Sequence, residues 1–281
     1  MPAMSDPVGL SELKIPLNRL APLEKFRTRD GGELQYRRYP CWSRHLLILY
    51  HGVGGDSRYW APLASRLAEL GWAQVVTPDL RGHGVPTSSG RAPEVKSAQL
   101  EEDFDELLIH LKFQHAVDEV LLGGHSLGGG LALKILCSSY AAGVRTGLLF
   151  APLLPEGENA APGYGGWISR EGESVKVHMP PAYLMGNEIL EYPESFIRSA
   201  LPAVDWAAAW EKRHASHPGM KLHVFMGLQD QVLSAGRTAP CFRSRGGVSY
   251  EELPASHLGV VLPGAVLPSL RGLQDRGELF R

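Results

Sequence analysis

Glu119-Val120-Leu121-Leu122-Gly123-Gly124-His125-Ser126-Leu127-Gly128-Gly129-Gly130 is the stretch on which the fold of this chain turns. Residues 119–122 form a short apolar run of strand character, and residues 131–140 carry a helical pattern. Between them, Gly124-His125-Ser126-Leu127-Gly128 fits G-x-S-x-G. Small residues on either side of the serine let a strand turn sharply into a helix and leave the hydroxyl exposed beside the helix's free N–H groups. The string is short enough to arise by chance, so its place between strand and helix gives it meaning. A glycine-rich phosphate loop is the competing reading. It lacks a following Gly-Lys-Ser/Thr, and neither this loop nor Gly52-Val53-Gly54-Gly55 completes G-x-G-x-x-G.

Working outward, strand and helix alternate. Residues 46–50, Leu-Leu-Ile-Leu-Tyr, are a continuous apolar run, the mark of a strand buried on both faces. Trp60, Leu63, Leu67 and Leu70 then recur at helical spacing, with Gly71 placed to end the helix. Residues 73–77 predict a strand, residues 98–113 a helix and residues 147–150 a further strand. Upstream, Asp30-Gly31-Gly32 joins two alternating segments, 25–29 and 33–39, as a hairpin. The rhythm resumes with strands at 222–225 and 248–253, a helix at 235–242 and a last helix after Pro263. This order predicts an α/β fold with a mostly parallel sheet.

Between residues 156 and 220 the alternation stops. Residues 157–166 are rich in Gly, Ala and Pro, residues 167–178 predict a hairpin around Arg170-Glu171-Gly172, and residues 194–201 and 204–214 predict helices. The expectation is therefore a core of residues 1–155 and 221–281 with a cap insertion, residues 156–220.

The chain has 281 residues, 44% of them hydrophobic, and a formal net charge of -2, an ordinary globular composition that excludes disorder and fibre. Without a basic run, no nucleic-acid partner is expected. No apolar window approaches a membrane span, so no integral membrane association is expected. Asp6, Glu12, Lys14 and Arg19 interrupt the first twenty residues, which rules against a signal peptide. Cys41, Cys137 and Cys241 are odd in number and widely spaced, neither a disulfide framework nor a zinc site. A cytoplasmic location is the expectation.

A serine hydroxyl needs a general base to take its proton, and that base needs an orienting carboxylate. With an elbow serine the chain order is Ser, Asp/Glu, His. Downstream of Ser126, only His257 lies just after a late strand, in Pro254-Ala255-Ser256-His257-Leu258-Gly259. His214 and His217 sit on a polar segment, His223 points into a strand, and His178 belongs to the insertion as the outside choice. Asp230 follows the 222–226 strand, whereas Asp205 lies on an insertion helix and Asp275 near the C-terminus. Asp230 is therefore the candidate for the orienting acid, with a turn aspartate capping the next helix as its competing reading. The backbone N–H groups of Leu127 and Val53 are the expected oxyanion donors. His51 is read as tying its loop down, and residues 78–84 as a structural turn, with His83 a minor contributor at the mouth.

These residues resemble the α/β-hydrolase superfamily over nearly the whole chain, and within it monoacylglycerol lipase and lysophospholipase-like serine esterases. The resemblance rests on His51-Gly52-Val53-Gly54-Gly55, Asp79-Leu80-Arg81-Gly82-His83-Gly84, Gly124-His125-Ser126-Leu127-Gly128-Gly129, and the Asp230 and His257 pair. It implies an eight-stranded, mostly parallel sheet with helices on both faces, a cap after the sixth strand, no cofactor and no metal. It implies Ser126 as nucleophile, His257 as general base then acid, and Asp230 as its partner. A serine at the elbow argues against the dehalogenase and epoxide-hydrolase branches, which use a carboxylate.

The expected substrate is a small-molecule carboxylic ester with a small to medium apolar acyl or aryl group, monoacylglycerol included. Trp167, Tyr183 and Met185 of the insertion are the candidate substrate-binding residues. Their other reading is packing between insertion and sheet. Amide, thioester or carbon–carbon cleavage by the same triad stays open, as does a catalytically silent small-molecule binder. The sequence leaves the oligomeric state open.

Overall fold

At the centre of the sheet, β5 (Glu119–His125) is flanked by β3 (His45–Tyr50) and β6 (Val144–Phe150), all parallel. The computed structural model describes residues 20–84, 94–155, 158–161, 166–178 and 189–280. Beyond β3 lies β4 (Gln74–Pro78), and beyond β6 lie β10 (Lys221–Gly227) and β11 (Val248–Leu253), again parallel. Only the edge hairpin of β1 (Leu23–Arg27) and β2 (Glu33–Tyr39) runs antiparallel. The eight-stranded order is β1-β2-β4-β3-β5-β6-β10-β11.

The central strands are apolar on successive residues because both faces are covered. Leu46, Leu47, Ile48 and Leu49 are all buried. On one face α1 (Ala61–Glu69) packs against α7 (Pro263–Asp275); on the other, α2 (Gln99–Gln114), α3 (Leu127–Leu136) and α4 (Glu194–Ala200) pack together, and α6 (Ala235–Phe242) packs on β10 and β11. This is the α/β-hydrolase fold.

The α3 helix begins at Leu127, four residues before the start read from the apolar pattern. Gly128, Gly129 and Gly130 disfavour a helix in isolation, but packing demands them. A Cβ on Gly128 would stand 2.4 Å from the His51 carbonyl oxygen and 2.5 Å from that of Tyr50. Tertiary approach of α3 to β3 therefore overrides local propensity.

Between β6 and β10 the chain builds a second, three-stranded antiparallel sheet in the order β7-β8-β9. The hairpin of β7 (Ile168–Glu171) and β8 (Ser174–His178) falls where the sequence predicts it. Strand β9 (Ile189–Pro193) does not appear in the sequence reading. The helices α4 and α5 (Trp206–Ser216) follow. Trp206 and Trp210 are packing residues: Trp206 packs against Phe242 with the rings tilted by 38°, and the Trp210 Nε1–H donates to the Gly246 carbonyl at 3.0 Å. The three cysteines are unpaired. Among the described residues, no helix is long and apolar enough to cross a membrane.

Candidate active site

Ser126 sits where β5 ends and α3 begins, with φ 53 and ψ -118. A non-glycine residue at positive φ is strained, and its surroundings must hold it there. They do so through the backbone. The Ser126 N–H donates to the Phe150 carbonyl at 3.0 Å, and the Ser126 carbonyl accepts from Gly130 and Leu153. Gly124 is needed for the reversal, since a Cβ there would stand 2.2 Å from the Gly128 carbonyl oxygen.

The other chemical groups arrive from the same carboxyl edge of the sheet, where ligands bind in open parallel sheets. Asp230 lies in the turn after β10 and His257 in the loop after β11. Their side chains meet, His257 Nδ1 to Asp230 Oδ2 at 2.7 Å, with the carboxylate enclosed. An ionised carboxylate only accepts, so Nδ1 carries the proton and Nε2 keeps its lone pair. Asp230 Oδ1 accepts from the N–H groups of Val232 and Leu233, at 2.9 and 2.8 Å. Asp230 therefore holds its own turn through one oxygen and His257 through the other, while the next helix, Ala235–Phe242, is capped by the Ser234 side chain, which accepts from the Arg237 N–H.

Ser126 and His257 share one cavity of about 40 Å³ with Val53, Trp167, Val177 and Leu258. Among the described residues, no acidic or basic side chain apart from histidine lines it. Val53 belongs to the loop after β3, whose neighbouring N–H groups are engaged: Gly52 to Tyr59 Oη at 2.5 Å, Gly54 to Tyr192 Oη at 3.0 Å, and Gly55 to the Gly52 carbonyl at 3.1 Å. His51 ties this loop down as read from sequence. Its Nε2 accepts from Leu80 N–H at 2.9 Å, and its Nδ1–H donates to the Gly52 carbonyl at 2.8 Å. Burial holds its pKa below the ordinary histidine value.

Two residues of this site escaped the sequence reading. His125, inside the elbow, is buried, and burial followed by the neighbouring His257 pushes its pKa well down. Its Nε2–H donates to the His257 carbonyl at 2.8 Å, so its bare Nδ1 accepts from the Tyr59 hydroxyl at 3.2 Å. Tyr59 thus joins the Gly52 amide to the His257 loop. Neither has a local sequence signal, because each acts through contacts distant along the chain.

The remaining candidates separate. His83 is not at an open mouth: it stacks on Tyr192 and packs against His51, and burial drives its pKa down to about 3. Asp79 accepts from Ser57 N–H at 2.6 Å, and Arg81 pairs with Asp103 at 2.5 Å, which makes residues 79–81 a structural turn. His223 bonds Ser249 Oγ, His178 bonds Ser169 Oγ, and His214 stacks on Trp210. Trp167 lines the cavity, whereas Tyr183 and Met185 lie outside the described residues. Among the described residues, no group of three or more His, Cys, Asp or Glu is arranged to hold a metal ion.

A sequence model described as the alpha/beta hydrolase family matches residues 46–268. The chain is 36% identical over 102 residues to a probable protein phosphatase methylesterase 1 of Caenorhabditis elegans, covering 34% of this chain and 28% of that protein. It is 29% identical over 157 residues to a proline iminopeptidase of Lactobacillus delbrueckii subsp. lactis, covering 50% of each. It thus spans half or less of these curated relatives. Among solved structures, a soluble variant of monoglyceride lipase from Saccharomyces cerevisiae superposes with a TM-score of 0.68 at 15% identity, covering 92% of this chain and 96% of that one. An esterase of Pyrococcus furiosus superposes with a TM-score of 0.60 at 14% identity, covering 95% and 91%. At such identities these two likenesses speak for the fold.

Proposed function

The chain belongs to the alpha/beta hydrolase family, and from that premise we infer that it is a cofactor-independent serine hydrolase of carboxylic esters. The observation that carries the reading is the elbow serine sharing a cavity with a histidine whose far nitrogen is held by a carboxylate. In this reading His257 Nε2 takes the Ser126 proton as Oγ attacks the ester carbonyl. The resulting oxyanion is received by the N–H groups of Val53 and Leu127. Collapse expels the alcohol, which leaves with the proton held on His257. Water then attacks the acyl-enzyme by the same route in reverse, and the acid departs.

The cavity supports neutral acyl groups, because its described lining is apolar apart from Ser126, His257, His125 and Tyr59. Its volume of about 40 Å³ favours the short end of the acyl range. Residues 156–220 act as a cap in this reading: Trp167, with Ile168 and Val177 of the inserted sheet, lines the cavity that holds Ser126. Amide cleavage by the same groups is the second reading, favoured by the partial likeness to a proline iminopeptidase.

The test is kcat/KM across p-nitrophenyl esters from acetyl to dodecanoyl, with Ser126→Ala as blank. The expected result is turnover peaking at short chains and lost in Ser126→Ala by at least about 10⁴-fold. Wild-type turnover in the Ser126→Ala protein would sink the reading, and serine-dependent cleavage of prolyl amides alone would favour the second.

A further inference from the structure

Resting on the serine-hydrolase reading, the geometry points to His125 as a positioning residue that holds the general base, His257, in place beside the elbow serine. A base must come within hydrogen-bond reach of the proton it takes, and a misplacement of about 1 Å can cost about 100-fold in rate. Ser126 stands at the junction of β5 and α3, and His257 in the loop after β11. Contacts between these distant segments must therefore fix their spacing. His125 belongs to one segment and touches the other.

His125 ends β5 opposite Phe150 of β6, and the peptide that joins it to Ser126 donates its N–H to the Phe150 carbonyl at 3.0 Å. Its backbone is thus fixed by the sheet. From there the side chain crosses to the His257 loop, where its Nε2–H donates to the His257 carbonyl at 2.8 Å. That carbonyl carbon is bonded to the Cα that carries the base, so the bond fixes where the imidazole starts. The two rings also touch, with centroids 4.5 Å apart and planes 51° apart. Asp230 holds the imidazole at Nδ1, and a single bond at one edge leaves a ring free to tilt. The His125 ring opposes that tilt on a face. Its own proton is assigned by its surroundings: a carbonyl only accepts, so Nε2 carries the hydrogen and the bare Nδ1 receives the Tyr59 hydroxyl at 3.2 Å. Tyr59 Oη in turn accepts from the Gly52 N–H at 2.5 Å. Tyr59 thereby favours the one tautomer of His125 that can hold the base.

Two variants divide the contacts. His125→Phe keeps a flat ring beside His257 and removes the donor, whereas His125→Gln gives up the ring but carries an amide N–H at the reach of Nε2. Turnover of p-nitrophenyl acetate is measured per serine titrated with a p-nitrophenyl phosphonate, so a misfolded fraction does not count. For His125→Phe, kcat and kcat/KM are expected to fall together by about 10–100-fold, because the base acts in both acylation and deacylation. His125→Gln should recover most of that loss. A merely structural role would lower Tm and the titratable fraction and leave kcat per serine at the wild-type value.

An unaltered kcat per serine in His125→Phe, a rise in KM alone, or a loss in His125→Gln as large as in His125→Phe would overturn the inference, while Ser126-dependent turnover of the wild type upheld the underlying reading. Absence of Ser126-dependent turnover in the wild type would overturn both. Ring-¹⁵N NMR on the labelled wild-type protein keeps the proposal falsifiable if the variants do not fold. A His125 proton that sits on Nε2 and exchanges slowly supports it. A proton on Nδ1, or one exchanging as fast as in free histidine, overturns it.

Discussion

The two oxygens of Asp230 face different partners, the turn amides of Val232 and Leu233 on Oδ1 and His257 Nδ1 on Oδ2. Substitution by asparagine separates these roles. The amide oxygen can keep the turn bonds, but the –NH₂ group then meets His257 Nδ1 and forces the ring proton onto Nε2, the nitrogen that must accept from serine. Asp230→Asn is therefore expected to melt near the wild-type temperature yet lose on the order of 10⁴ in kcat toward p-nitrophenyl acetate. A fall in Tm with retained kcat would show that the carboxylate serves only the turn. Position after a strand was enough to select Asp230 and His257 from the sequence. Tyr59 and Tyr192 were not readable there, because their hydroxyls act on backbone amides brought close only by the completed fold.

The core strands were readable because burial on both faces leaves uninterrupted apolar runs, and the elbow helix was misplaced because three glycines hide its first turn. The same glycines carry a prediction. At Gly128 an added Cβ meets backbone carbonyls of β3, which cannot move without shifting the sheet. Gly128→Ala should cost about 3 kcal/mol or more, since overpacking against backbone has no relaxed alternative. In a domain of this size that is a Tm drop on the order of 5–10 °C, readable by calorimetry. Strand β9 escaped notice for the opposite reason. Ile189-Leu190-Glu191-Tyr192-Pro193 is short, ends in proline and lies at an edge, where proline is tolerated. The insertion also lines the cavity, through Trp167 and, from its sheet, Ile168 and Val177. Trp167→Ala should raise kcat/KM for octanoyl relative to acetyl esters by about tenfold or more, at a cost in stability of about 3–5 kcal/mol. An unchanged chain-length profile would return Trp167 to a packing role.

Taken as a whole, the molecule encloses several histidines without giving them a full anionic partner, and this fixes how its stability responds to acid. Burial holds His51 and His125 below the ordinary histidine range, His83 down to about 3 and His223 down to about 4. The unfolded chain binds protons at these rings below about pH 6.5, whereas the folded chain resists until the depressed value is reached. Their contribution is therefore fully present above pH 6.5 and is lost as the pH falls toward 4. His223 isolates the effect, being on β10 and bonded to Ser249 rather than to the serine site. Relative to an ordinary value in the unfolded chain, its depression corresponds to about 3 kcal/mol by pH 4. Urea midpoints measured from pH 7 to pH 4 should fall steadily for the wild type. In His223→Gln the slope should be shallower by up to about 1.4 kcal/mol per pH unit, the linkage of one proton. Parallel slopes for the two proteins would mean that His223 titrates alike in the folded and unfolded chain, and that acid sensitivity resides in the histidines around the site.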